Sequence, residues 1–292
     1  MRETQRKRVC FGRRREVITG FLMLAPMLVA LILLRLWPAC LALATSFSGK
    51  PGRWFDLSAY TALFHDPTFL GSVVTTALFA VLVNPLQIAL ALALALLFNR
   101  TMPGVGLWRT LILLPVVIPQ SVSALIWGIA FRPDGPINSL LGAIGLPQQP
   151  FLTSTAQALP AIIVVVSWVG VGYWMTFLIA GLKDIPASLY EAAALDGAKP
   201  WQVFWAITLP LLRRPLAFVV VADTVANFLV FAPVQILTSG GPQGTTNLVM
   251  ADIYTRAFVY SDDRGAAAET VLLMLLVVTV VLVQFRMMRA PP

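Results

Sequence analysis

Charge is scarce in this chain. Only 12% of its 292 residues are Asp, Glu, Lys or Arg, against roughly 25% in an ordinary soluble domain. Histidine occurs once, at His65, and cysteine twice, at Cys10 and Cys40. The two thiols fall in a basic N-terminal segment and near the far end of the first apolar run, so they build no disulfide framework. A lone histidine in a polar loop has no companions for a metal site, and none is expected. No glycine-rich stretch ends in Gly-Lys-Ser/Thr, and Gly240–Gly244 has no lysine after it. The chain therefore does not cradle ATP phosphates in the P-loop manner. No paired acids, histidines or cysteines converge on one stretch, so no catalytic residues are expected and the chain does not read as an enzyme.

Apolar residues fill the space that charge leaves. They make up 58% of the sequence, with a mean hydropathy of +0.82, too much for one buried core at this length. Six blocks reach membrane-spanning length, at about 18–39, 70–98, 110–131, 156–182, 215–237 and 266–285. The fold class is thus all-α: a polytopic membrane protein of six transmembrane helices. Residues 1–16 read as a basic cytoplasmic tail, and residues 17–289 as one membrane domain. The first run is too long for a signal-peptide core, although Ala42-Leu43-Ala44 imitates a cleavage site.

The net charge of +8 does not indicate nucleic acid. Seven of the 21 Lys/Arg lie in the first 15 residues and none of the rest forms a stripe interleaved with aromatics; membrane lipid is the better partner for that flank. With the N-terminus inside, fifteen Lys/Arg face the cytoplasm and five (Lys50, Arg53, Arg132, Arg256, Arg264) face outward. That asymmetry puts both termini in the cytoplasm. Arg35, at the edge of the first span, snorkels to the headgroups. Pro26, Pro85, Pro115, Pro119 and Pro233 fall inside spans, where broken helices often line pathways.

Residues 183–214, between the fourth and fifth spans, are too long for a tight turn. Asp184-Ile185-Pro186 reads as a helix start, with Leu189, Ala192, Ala193 and Asp196 on one side and Gly197 as the C-terminal stop. Pro200 opens a second short helix, Trp201 to Thr208, which Pro210 ends, and Trp201, Phe204 and Ile207 root it under the bundle. Narrow alanines flanked by Glu191 and Asp196 suit docking of a partner surface. A second reading remains open, because Ser188-Leu-Tyr-Glu191 also matches a capping box.

Glu191-Ala-Ala-Ala-Leu-Asp196-Gly197-Ala198, followed by Phe204 and Ile207-Thr-Leu-Pro210, resembles the EAA loop of binding-protein-dependent ABC-importer permeases of the carbohydrate-uptake type, the maltose and glycerol-3-phosphate group. Leu114-Pro115, Trp127, Gly135-Pro-Ile-Asn138 and Trp168 extend the likeness upstream. Leu237-Thr-Ser-Gly-Gly-Pro242 and Tyr254 extend it downstream and match the first permease of a pair. The resemblance implies a sugar, polyol or glycerol-phosphate importer subunit in a bacterial or archaeal inner membrane. It also implies ATPase docking through Glu191, Ala192, Ala193, Asp196 and Gly197. The partners it implies are a second permease, an ATP-binding cassette ATPase dimer that carries ATP and Mg in place of any cofactor on this chain, and an extracytoplasmic solute-binding protein.

Where that family pattern has Phe-x-x-Phe-Asp, this chain reads Phe228-Leu-Val-Phe231-Ala232, and it adds acids at Asp223 and Glu269. Asp223, near mid-membrane, reads as a cavity residue or an interhelix hydrogen bond; Glu269, near the outer end of span six, could be solvated. Trp168, Tyr173 and Trp174, with Asn227, Phe228 and Gln235, supply aromatic and hydrogen-bonding groups for a solute path. A proton-coupled carrier using Asp223 or Glu269 is the alternative.

Overall fold

The computed structural model describes residues 21–49, 55–100 and 102–288. The basic tail, Cys10, Lys50, Arg53 and Arg289 lie outside them. Five helices are long and apolar enough to span a membrane, and a bent pair makes a sixth. The first, α1 (Phe21–Ser46), contains a π-helical turn at Ile32–Leu36 and exposes almost all its side chains. After a short α2 (Ser58–Leu63) comes α3 (Pro67–Phe98). Its 32 residues extend about 48 Å at ~1.5 Å per residue, and Pro85 sits within it without ending it. Asp66 caps it, accepting from the Thr68 amide at 2.9 Å.

The expected third span is not one straight helix. It divides into α4 (Val105–Val117) and α5 (Gln120–Ala130), bent by 101°. Pro119 causes the break: a residue before proline is pushed out of the α region, and Ile118 is extended (φ −82°, ψ 129°). Beyond α6 (Pro136–Ala143), α7 (Ala158–Lys183) is the central post. It packs against α3, α4 and, further on, α10.

The elbow follows. Asp184 closes α7 instead of opening a helix; α8 (Ala187–Leu195) begins after Pro186. No side chain caps α8, so the Ser188–Glu191 capping box is not formed. Gly197, at φ +70°, takes the left-handed conformation that glycine adopts without a Cβ clash. Around it the Ala198 amide donates to the Ala193 carbonyl at 2.9 Å and the Gly197 amide to that of Ala194 at 3.1 Å. The other limb, α9 (Pro200–Val203), runs through a π-helical turn at Phe204–Thr208 into α10 (Leu209–Phe228). Pro210 therefore does not end the second limb; it lies in the first turn of α10, where the widened π turn accommodates the missing N–H. Span five thus begins before Pro215 and breaks instead at Leu229–Phe231, ahead of α11 (Ala232–Leu237).

Two elements complete the bundle: α12 (Val249–Phe258) and α13 (Asp263–Met288), the last span. α13 packs on α12, on the Trp37–Ser46 part of α1 and on α10. One core cluster joins Ala91, Ala95, Trp174, Met175, Leu178 and Leu212 near the elbow. A second joins Phe79, Val83, Ile162, Val234 and Leu248 toward the other end.

Candidate functional site

The breaks in the two interrupted spans meet on α7. α5 packs against α11, and a cleft of about 530 Å³ opens beside the non-helical segments at Ile118–Pro119 and Val230. Irregular backbone at membrane depth is tolerated where it lines a cavity. Of the predicted path residues the cleft gathers four: Tyr173, Trp174, Asp223 and Asn227. It also takes in Gln87 and Gln120, which sequence reasoning missed.

Asp223 is 1% exposed. Its Oδ1 accepts from Trp174 Nε1 at 2.5 Å and Asn227 Nδ2 at 3.1 Å. Gln87, with its amide nitrogen turned toward the carboxylate, donates to the same oxygen at 2.6 Å and accepts from the Ser167 amide at 3.3 Å. The other proton of Asn227 Nδ2 goes to Asn84 Oδ1 at 2.7 Å. Asn84 and Gln284 in turn donate to Thr224 Oγ1. One polar chain thus ties α3, α7, α10 and α13 together, and the acid serves as interhelix hydrogen-bond acceptor and cleft wall at once. Among the described residues Asp223 Oδ2 has no partner.

The other four predicted path residues lie elsewhere. Trp168 packs edge-on to Trp127, with ring centroids 5.7 Å apart. Phe228 is buried with Ala80, Val249 and Leu273, and Gln235 lies on α11. Glu269 is not solvated: it is 0% exposed, and Arg256 Nε donates to its Oε1 at 2.7 Å. Arg256 Nη2 also reaches Asp66 at 2.6 Å, and Nη1 reaches Asp262 at 3.4 Å. This hub pins α12, α13 and the start of α3 at the end away from the elbow. Burial opposes the guanidinium charge, but the Asp66 hydrogen bond and the Glu269 charge outweigh it and hold Arg256 protonated.

Arg256 also holds the Asp66 carboxyl below the usual carboxylate range. Asp66 therefore stabilises the fold fully above the ordinary Asp value of ~3.9, and that stability is lost as pH falls through the lowered value. Asp66→Ala is expected to cost about 1–2 kcal/mol at pH 7. The difference from the parent in thermal unfolding midpoint should shrink as pH drops below about 4; a pH-independent difference would contradict the assignment.

The residues expected to dock a partner stand together on the elbow. Glu191, Ala192, Asp196 and Gly197 are exposed, whereas Ala193 faces inward. Leu195 is 90% exposed. Tyr190 Oη and Thr208 Oγ1, 3.2 Å apart, tie the two limbs. Trp201 does not root the elbow: it is 63% exposed, and Phe204 and Ile207 are half-buried.

A bundle of long apolar helices, two of them interrupted around a polar cleft, with an elbow outside the bundle between the fourth and fifth spans, is the architecture of a transport permease. The chain belongs to the family of inner-membrane components of binding-protein-dependent transport systems, whose model matches residues 16–289. The sn-glycerol-3-phosphate transport system permease protein UgpA of Brucella abortus biovar 1 (strain 9-941) is 34% identical over 276 residues, covering 92% of this chain and 94% of that protein. UgpA of Rhizobium meliloti (strain 1021) is 33% identical over 288 residues, covering 96% and 97%. In structure the chain matches a subunit of a bacterial alginate ABC transporter, solved in complex with an alginate pentasaccharide-bound periplasmic protein. The TM-score is 0.84, with 22% identity and coverage of 96% of both chains. Membership of this family disfavours the proton-coupled carrier.

Proposed function

We propose that the chain forms one half of the solute pathway of an ATP-driven importer for a sugar or a related polyol or glycerol phosphate. A second permease of the same family covers the open face of the cleft. An ATPase dimer, carrying ATP and Mg, docks on the elbow, and an external binding protein delivers solute at the far end. Both termini then lie on the cytoplasmic side with the elbow, consistent with Lys183, Lys199, Arg213 and Arg214 around it. Closure of the ATPase dimer moves the elbow, and the continuous α9–α10 rod carries that motion to the cleft. ATP binding shifts the inward–outward equilibrium only through contacts that differ between the two states, and the elbow is where such contacts act.

The observation that carries this reading is the elbow itself. It is a short helix closed by a left-handed glycine, with Glu191, Ala192 and Leu195 presented away from the bundle. Glu191→Lys reverses a docking charge. Gly197→Leu places a side chain in a left-handed conformation that costs ~1–2 kcal/mol, and it adds bulk to the docking face. Each variant is expected to lose most of the ATPase retained when the assembled transporter is purified; Glu191→Lys should leave the permease's own unfolding midpoint unchanged, and Gly197→Leu should lower it by only about 2–8 °C. Undiminished retention in both variants would remove the docking role.

A further inference from the structure

α1 carries a charge that nothing beside it neutralises. Arg35 stands in the π-helical turn Ile32–Leu36, and every residue from Phe21 to Leu41 is exposed. The ion pairs among the described residues belong to Arg256 and Arg264; Arg35 enters none. Pro38, which has no N–H to give, accounts for the π turn, as Pro210 does at the elbow. It does not account for the charge. α1 packs on α13 through its Trp37–Ser46 part, so Arg35 lies where the helix leaves the bundle.

Depth decides what can neutralise it. Ser46 marks the end of α1 away from the elbow: it is buried, and its hydroxyl accepts from Tyr60 Oη of α2 at 2.7 Å. At ~1.5 Å per residue, Arg35 is about 16 Å from Ser46 and about 21 Å from Phe21. Both distances exceed half of a ~30 Å hydrocarbon core. Arg35 is therefore not at the edge of its span, as the sequence suggests, and the headgroups lie beyond the reach of its side chain. Charged groups at such a depth face a bundle interior or pair with another group. We infer that Arg35 pairs with a carboxylate held at the same depth by another membrane chain, and that this ion pair fixes the free half of α1 against that chain. A carboxylate neutralises the guanidinium and matches its fork of donors; a lipid tail does neither. On the reading of this chain as one half of an importer, on which the partner's identity rests, the carboxylate belongs to the second permease.

The acid can be found without knowing its position. In the assembled transporter, Arg35→Lys keeps the charge and supplies a primary amine. A membrane-permeant carbodiimide activates a carboxyl beside it; the amine displaces the activating group, an amide joins the two side chains, and the carbodiimide leaves as its urea with the elements of water. Peptide mass spectrometry is expected to place one junction between position 35 and an Asp or Glu within a span of the second permease, absent from the parent. In a second arm, the second permease is exchanged against a tagged copy. Arg35→Gln, which strands the buried carboxylate, should speed that exchange at least ~10-fold, and Arg35→Lys should bring it back near the parental rate. A junction within this chain, to a second copy of it or to phosphatidylserine would overturn the pairing. So would no junction at position 35, or an exchange rate that Arg35→Gln leaves unaltered. The ATPase-retention experiment does not involve Arg35, so failure of the importer reading and failure of the ion pair are distinguishable.

Discussion

Replacing Arg256 by glutamine is expected to produce a large loss of stability. Arg256 is the one cation shared by Asp66, Asp252, Asp262 and Glu269. Glu269 is fully buried, and Glu269 Oε2 and Asp252 Oδ2 already have no hydrogen-bond partner among the described residues. Removing one member of a buried pair strands the other and costs ~3–5 kcal/mol. Spread over a chain of this size, that lowers the unfolding midpoint by about 6 °C or more, read by tryptophan fluorescence on the purified protein. Adding Glu269→Gln should recover part of the loss, because the stranded charge is then gone. An unchanged midpoint in Arg256→Gln would show that the hub is not holding α12, α13 and the start of α3 together.

Gly172→Val is the second large effect, for a steric reason. Gly172 on α7 faces the carbonyl oxygen of Ile112 on α4, so closely that any Cβ would overlap it. The obstacle is backbone, and it yields only if α4 moves away from the central helix. Overpacking of this kind costs ~1–3 kcal/mol or more. Here it also displaces the half of span three that borders the cleft. Gly170 makes a sharp contrast two residues earlier: a Cβ there would meet the end of the Gln87 side-chain amide at 2.9 Å, the tip of a flexible side chain rather than backbone. Gly170→Ala should retain a monodisperse size-exclusion profile and a near-parental midpoint, whereas Gly172→Val should lose most of its folded yield. Similar behaviour of the two would contradict the packing of α4 on α7.

Three of the long spans are legible in the sequence to within three residues at each end. α3, α7 and α13 are unbroken apolar runs whose ends carry their own signals, such as Asp66-Pro67 before α3. The interruptions were not legible. Pro85 leaves its helix intact and Pro115 stays inside α4, while Pro119 breaks the span. Which proline breaks a helix depends on what packs beside it. Pro210 reads as a stop, but a π turn absorbs it.

At the site, Trp174, Asp223 and Asn227 stood out as polar or aromatic groups in apolar runs. Asn84 and Gln87 carry the same signal, three residues apart on one face of the second run. Glu269 looked solvated because its neutralising partner lies on another helix, thirteen residues earlier and visible only in three dimensions. The elbow was legible in outline because Gly197 is a local conformational signal. Trp201 faces outward instead of inward, because an aromatic in a short amphipathic stretch does not reveal which side of it meets protein.

On this reading, motion at the elbow, driven by a nucleotide-hydrolysing partner, powers transport through the cleft. The decisive assay is solute uptake into proteoliposomes holding the permease pair and external binding protein, with and without the ATPase subunits. Accumulation is expected only when ATPase and ATP are both present, and Glu191→Lys should abolish it. Accumulation without the ATPase, driven by an imposed proton gradient, would contradict it.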